Sequence, residues 1–270
     1  MNNLLQTRLI GNKVYARHHL VAALIVCFCG IQDAVAQSNR FEAGIAALKR
    51  EQYSTAFRSW LPLAEDGVPE AQLNLGHLYQ EGLGVEIDYS AAFLWYQRAA
   101  EAGLAEAQFN LGLLYFDGNG VPQDKPTAMD LFHQAEDQGI AAASYMLGLA
   151  DLRGELSALN PQSGRRRILK AAQAGVPSAQ FTYATLAQSG VGASPPKSTL
   201  LDLIPDRPAQ GNPLVAYIWA RIAQENGLDS ADVTQVIEVA GIMLGGETTT
   251  AEGLIFRCLE QGLNGCPTAD

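Results

Sequence analysis

The sequence predicts an all-α fold, an array of helix-turn-helix repeats with a period of 36 residues. Three observations carry that expectation. Residues 71–103, AQLNLGHLYQEGLGVEIDYSAAFLWYQRAAEAG, return without a gap 36 positions later as 107–139, AQFNLGLLYFDGNGVPQDKPTAMDLFHQAEDQG. Self-similarity at a fixed period of this length marks a repeat array. Gly67, Gly103, Gly139 and Gly175 each follow an Ala-rich stretch, the C-cap place where glycine takes the left-handed conformation without penalty. Ala71, Leu75 and Tyr79 share one helical face, with Gly76 beside them, and Ala92, Trp95 and Ala99 share another. Large side chains on one helix are expected to fill the notches that Ala and Gly leave on its neighbour. A single helix pair cannot bury such faces alone, so the units must stack.

Residues 1–36 read as a cleaved signal peptide. Arg8, Lys13, Arg17, His18 and His19 form a positive segment, and Leu20 to Ile31 an apolar run too short to span a bilayer. Ala34-Val35-Ala36 offers a small-x-small cleavage site, with Gln37 as the mature N-terminus. Cys27 and Cys29 follow Val26 and Phe28, not the small residue that precedes a lipid-modified cysteine. The alternative is an uncleaved signal anchor. With cleavage no stable membrane span remains, and the chain is periplasmic or secreted.

Cleavage removes three basic residues and one acidic residue, which moves the formal charge from −10 to −12. An acidic surface argues against nucleic acid as a partner, because phosphate binding needs clustered Lys and Arg. Two cysteines remain, Cys258 and Cys266. In an exported chain an isolated pair reads as a disulfide. Eight residues of continuous helix would hold them about 12 Å apart, beyond disulfide reach. The helix must therefore end between them, and Gly262 and Gly265 permit that.

Residues 37–67 form a partial N-terminal repeat, its first helix about Phe41 to Glu51 and its second starting near Tyr53. Repeats then fill residues 68–191. The turn Glu81-Gly-Leu-Gly84-Val85-x-x-Asp88 recurs as Asp117-Gly-Asn-Gly120-Val121-x-x-Asp124. It lacks the preceding strand and Gly-Lys-Ser/Thr of a phosphate loop. It also lacks the oxygen ligands at positions five and twelve of a calcium loop, which here are Val121 and Ala128. The glycines are expected to serve positive φ, the valines to plug the turn, and Asp88 and Asp124 to stabilise the next helix start.

The third unit departs from this pattern. Its turn lacks the second glycine and the Asp, Asp151 stands where Tyr79 and Tyr115 stand, and Arg165, Arg166 and Arg167 replace apolar residues. This dense basic cluster is a candidate grip for an acidic partner or an anionic glycan. The structural alternative is a solvated helix start whose long stems cover apolar surface.

After Ser189 two registers are open. Ungapped, 214–224 is a first helix. With a 16-residue insertion, Ala216 to Gly227 aligns with Ala92 to Gly103 as a second helix. The second is adopted, because it keeps Ala, Trp, Ala and Gly in place, so that 192–213 is an inserted loop. Residues 214–270 then hold the last repeat helix and a C-terminal cap, with helices at about Ser230 to Leu244 and Thr249 to Gln261.

The pattern Ala-Gln-x-x-Leu-Gly-x-x-Tyr-x-x-Gly-x-Gly-Val-x-x-Asp, followed by Ala-x-x-Trp-Tyr-x-x-Ala-Ala-x-x-Gly, resembles the Sel1-like repeat, a relative of the tetratricopeptide repeat. The likeness is close over 68–139 and partial over 40–67 and 140–189. It implies a right-handed α/α superhelix, a solenoid. It also implies adaptor roles: assembling envelope complexes, regulating signalling and exopolysaccharide production, or contacting host proteins. Cysteine-rich members carry a disulfide in each repeat. This chain has none within its repeats, so their penicillin-binding chemistry is not carried over.

A search for chemistry finds little. His77 and His133 lie in different repeats without carboxylate or cysteine at ligand spacing. Ser194-Pro-Pro-Lys197 matches Ser-x-x-Lys, but two prolines oppose the helix that would bring Lys to Ser. No catalytic residue, cofactor or metal is expected. What remains is a surface. Leu73, His77 and Gln80, then Phe109, Leu113 and Phe116, then Tyr145, Leu149 and Leu152, then Phe181, Thr185 and Gln188 form a stripe on the first helices. Such stripes line the concave side of solenoids. The structural alternative is that neighbouring helices bury them.

The expectation is a non-enzymatic periplasmic scaffold or regulator that binds a segment of an unknown envelope protein. The candidate contacts are Leu73, Asn74, His77, Phe109, Asn110, Leu113, Phe116, Tyr145 and Arg165 to Arg167. The alternative is an envelope glycan-binding protein, or a cell-wall or exopolysaccharide-associated enzyme.

Overall fold

A computed structural model describes residues 35–154, 159–190, 211–245 and 248–268. Every regular element among them is a helix. The chain divides into two compact units, one ending at Leu104 and one beginning at Ala105.

The first unit holds α1 (35–48), α2 (Tyr53–Glu65), α3 (Pro69–Glu81) and α4 (Tyr89–Glu101). Helix α1 starts before Phe41 and stops before Glu51, which takes a positive φ of 58° in the turn into α2. Gly44 lets α1 lie directly on the Trp60 ring, and the Trp60 indole N–H donates to the Phe41 carbonyl at 3.2 Å. Ala56, Trp60, Leu63, Ala71, Leu75 and Leu78 form the core of this unit.

The second unit holds α5 (Ala105–Asp117), α6 (Lys125–Asp137), α7 (Ala141–Arg153), α8 (Pro161–Gln173), α9 (Pro177–Ser189), α10 (Pro213–Glu225), α11 (Ala231–Met243) and α12 (Thr248–Gln261), then a 3-10 turn at Leu263–Gly265. Its helices pack as the pairs α5–α6, α7–α8 and α9–α10, and each pair rests on the next. In α9–α10, Tyr183 meets Trp219 edge to face with ring centroids 5.6 Å apart. Helix α10 is therefore the second helix of its repeat, the register with the insertion. It begins at Pro213, inside the span expected as loop; residues 191–210 lie outside the described residues.

Two backbone devices repeat. Gly67, Gly103, Gly139, Gly175 and Gly227 have φ of 90–94°. The amide after each of these glycines donates back to the carbonyl five residues before it, as Leu104 does to Ala99 at 3.1 Å. This satisfies a helix-end carbonyl. The second device clasps the turn within a repeat. The amides of Asp88, Asp124, Asn160 and Asn212 donate to the carbonyls of Tyr79, Tyr115, Asp151 and Ala187, at 3.0, 2.9, 3.0 and 2.7 Å. Each of these four residues also caps the following helix: Asp88 Oδ1 accepts from the Ser90 and Ala91 amides, Asp124 Oδ1 from Thr127, Asn160 Oδ1 from Ser163 and Asn212 Oδ1 from Val215. The third repeat therefore keeps its cap: Asn160 replaces the missing Asp. The first three clasps close a span of nine residues and the fourth a span of 25. Gly211 is needed there, because a side chain would run into the Gln188 carbonyl.

The helix-pair notches are filled as expected in kind, though by a different residue. Tyr96, rather than Trp95, lies over Gly76; a Cβ on Gly76 would stand 2.5 Å from its ring. Burial pushes the Tyr96 phenol well above its ordinary pKa, aided by the Glu81 carboxylate. The phenol donates to Gln80 Oε1 at 3.1 Å.

Candidate functional site

The stripe on the first helices lies partly sunk in the packing. On α3, Leu73 and Asn74 are half-buried and His77 is exposed. On α5, Phe109, Asn110, Leu113 and Phe116 are all half-buried. Phe109 and Phe116 flank the buried ring of Phe132 from α6, with centroids 5.6 and 6.3 Å away. The Lys125 ammonium stands 5.0 Å from the Phe116 ring centroid, an attraction that the sequence reading missed. On α7 the Tyr145 hydroxyl lies 3.1 Å from Thr182 Oγ1 of α9. Core packing thus fixes one side of each aromatic residue and leaves the other accessible.

Asn74 and Asn110 occupy the same place on α3 and α5, 36 residues apart. Neither side-chain amide forms a hydrogen bond among the described residues. A half-buried amide with open donor and acceptor positions can pair with a peptide group.

The arginine cluster on α8 does not form a free basic patch, which corrects that expectation. Arg165 is 2% exposed. Its Nη1 donates to the Leu186 carbonyl at 3.1 Å, and its guanidinium lies 4.9 Å from the Tyr183 ring centroid. The long apolar stem and the carbonyl of α9 make this burial possible. Arg167 Nη1 meets Asp151 at 2.7 Å, its Nε lies 3.6 Å from Glu136, and Lys170 lies 3.9 Å from the same Glu136. Asp151 and Arg167 are thus substitutions matched to each other. Arg166 alone of the three is exposed.

Cys258 and Cys266 form a disulfide with Cα atoms 5.2 Å apart. As the spacing required, α12 ends between them, with Gly262 at φ 80°. The chain beyond the disulfide lies on α10, where Trp219 Nε1 donates to the Pro267 carbonyl at 2.9 Å. Among the described residues no group of three or more His, Cys, Asp or Glu side chains could hold a metal ion, and no helix is long and apolar enough to cross a membrane.

Paired helices with glycine-closed ends, small-for-large notches and a half-exposed stripe on the first helices define an all-α helical-repeat fold of the solenoid class. The Sel1 repeat family profile matches residues 69–104 and 105–140. The chain therefore carries Sel1 repeats over 69–140. It is similar to a Sel1 repeat protein of Oxalobacter formigenes, known from its crystal structure. The identity is 26% and the TM-score 0.56, over 73% of this chain and 74% of that one. It is also similar to c5321, a protective antigen present in uropathogenic Escherichia coli strains that displays an SLR fold. Here the identity is 21% and the TM-score 0.58, over 88% of this chain but only 52% of that one. The second likeness concerns the fold alone. No curated protein matches the sequence.

Proposed function

We propose that the chain is an exported, non-catalytic scaffold that holds a segment of an envelope protein against the first-helix stripes. The observation that carries this reading recurs in each unit: Asn74 in the first and Asn110 in the second are half-buried without a side-chain hydrogen bond among the described residues. Each offers a donor and an acceptor, the set that a peptide group requires. Beside Asn110, Phe109 and Phe116 are held by Phe132, so a partner side chain meets surfaces already ordered. Export is supported by the charged and apolar N-terminal pattern and by the cysteine pair. The glycan alternative loses its main support, because Arg165 is buried and Arg167 is ion-paired.

Photo-crosslinking side chains at His77 and Leu113, on the stripe, and at Asp130 and His133, on α6, test the reading in the intact envelope. Discrete protein adducts are expected from the first two sites only, and are expected to be lost when Asn74→Ala and Asn110→Ala are combined. Equal adducts from both pairs of sites, or adducts that survive the double substitution, would overturn it.

A further inference from the structure

On α11, the face by which a first helix seats its second helix is bare. On α3, α5 and α7 the position nine residues after Ala71, Ala107 and Ala143, as Ile242 is nine after Val233 on α11, touches the paired helix. Gln80 accepts from Tyr96 at 3.1 Å, Phe116 lies 6.3 Å from Phe132, and Leu152 sits against Gly164, where a Cβ would stand 2.8 Å from it. On α11 that position is Ile242, 80% exposed, with Met243 exposed beside it and Val239 one turn before. The inner face of α11, Val233, Val236 and Ala240, is buried against the preceding pair. Helix α12 does not take the open face. It packs on α10 and on the 3-10 turn, fastened by the disulfide and by the Tyr217 hydroxyl, which donates to Glu252 at 2.8 Å.

The charge on this helix has one sign. Helix α11 carries Asp232 and Glu238, both exposed, and no basic residue. Glu238 stands one turn before Ile242, at the place of Gly76, Gly112 and Gly148. A second copy would bring acid against acid within a chain already at −10, which like-charge repulsion opposes.

We propose that the open face of α11 is a docking seat for an amphipathic, cationic helix of a partner protein. Glu238 fills the place of the notch glycine, so the occupant lies over Val239, Ile242 and Met243 and presents apolar residues on its contact face. Lysine or arginine along its flanks complements Asp232 and Glu238. This goes beyond the stripe reading above, since it concerns a different face and a different partner chemistry.

The probe is a fluorescein-labelled synthetic amphipathic helix with leucine and alanine along one face at i, i+3, i+4 and i+7, and lysine on its flanks. It is titrated with the full chain and followed by anisotropy. Saturable binding is expected, weakened at least about tenfold by Ile242→Lys, several-fold by Glu238→Lys, and by added salt. Circular dichroism checks that the variants keep the fold, as an exposed position should allow. No saturable binding, or binding indifferent to Ile242→Lys, overturns the proposal. Sedimentation that shows a pair of copies separated by Ile242→Lys also overturns it, since the occupant is then a second copy. The Asn74→Ala, Asn110→Ala chain should bind the probe as the natural chain does. Loss of binding there would place the probe on the stripe and sink this proposal while leaving that reading intact.

Discussion

Phe132 occupies the notch left by Gly112: a Cβ on Gly112 would stand 2.7 Å from the ring. The same relation holds for Gly76 with Tyr96 and for Gly148 with Ile168. In the α9–α10 pair the corresponding positions are Ala184 and Ala220, both fully buried. Notch and filler therefore change together along the chain.

Gly112→Ala should destabilise the protein by about 1–3 kcal/mol through overpacking. Phe132→Leu alone should also destabilise. The double substitution should lose less than the sum of the two, because the smaller side chain relieves the clash. Urea unfolding of the four proteins measures the coupling; strict additivity would mean that the two positions do not share a notch.

Asn212→Ala removes both a helix cap and the side chain beside a turn clasp. A loss of about 1 kcal/mol is expected. Asn212→Asp should retain most of the stability, since Asp88 and Asp124 fill the same place elsewhere. Thermal unfolding of the two variants separates these outcomes.

Arg167→Leu should destabilise by about 1–2 kcal/mol, because Asp151 and Glu136 then lose a partly buried counter-ion. Combining it with Asp151→Tyr recreates the Tyr115 and Leu131 pair of the preceding repeat. The double variant should recover the loss, as exchange of a partly buried ion pair for apolar packing often does. Denaturant midpoints with unchanged slope would confirm the recovery.

Asp124 has its carboxyl pKa lowered by hydrogen bonds from the Thr127 hydroxyl and amide. A folded-state value below the unfolded one gives stability that is present above the unfolded pKa and lost as pH falls through the folded pKa. Asn at this position caps without titrating. The melting-temperature advantage of the natural protein over Asp124→Asn should therefore shrink as pH falls from about 5 to about 2–3. A constant difference across that range would exclude the carboxylate as its source.

Much of the fold is legible because it follows from local backbone demands. The closing glycines recur every 36 residues, and the paired turn glycines and capping acids recur once at that spacing; each answers a fixed conformation or an orphan N–H. The notch filler was missed because Trp95 and Tyr96 are adjacent aromatics about 100° apart on a helix. Which of them meets Gly76 depends on how the helices cross, which composition does not encode. Asn160 was overlooked as a cap because an acid was sought, although an amide oxygen accepts the same bond. Arg165 was read by its charge, while its burial depends on a carbonyl 21 residues away at Leu186. The stripe was legible as a pattern, but its half-buried state depends on Phe132 from the neighbouring helix.

The bond from the Asn212 amide to the Ala187 carbonyl joins residues 25 apart, where the other repeats join residues nine apart. Lengthening a closed loop by that factor adds only about 1 kcal/mol of closure entropy. The helices on either side keep their caps and their pairing. The repeat is thus a socket into which evolution, or a protein engineer, can graft foreign sequence between Gly190 and Gly211 without redesigning the scaffold around it.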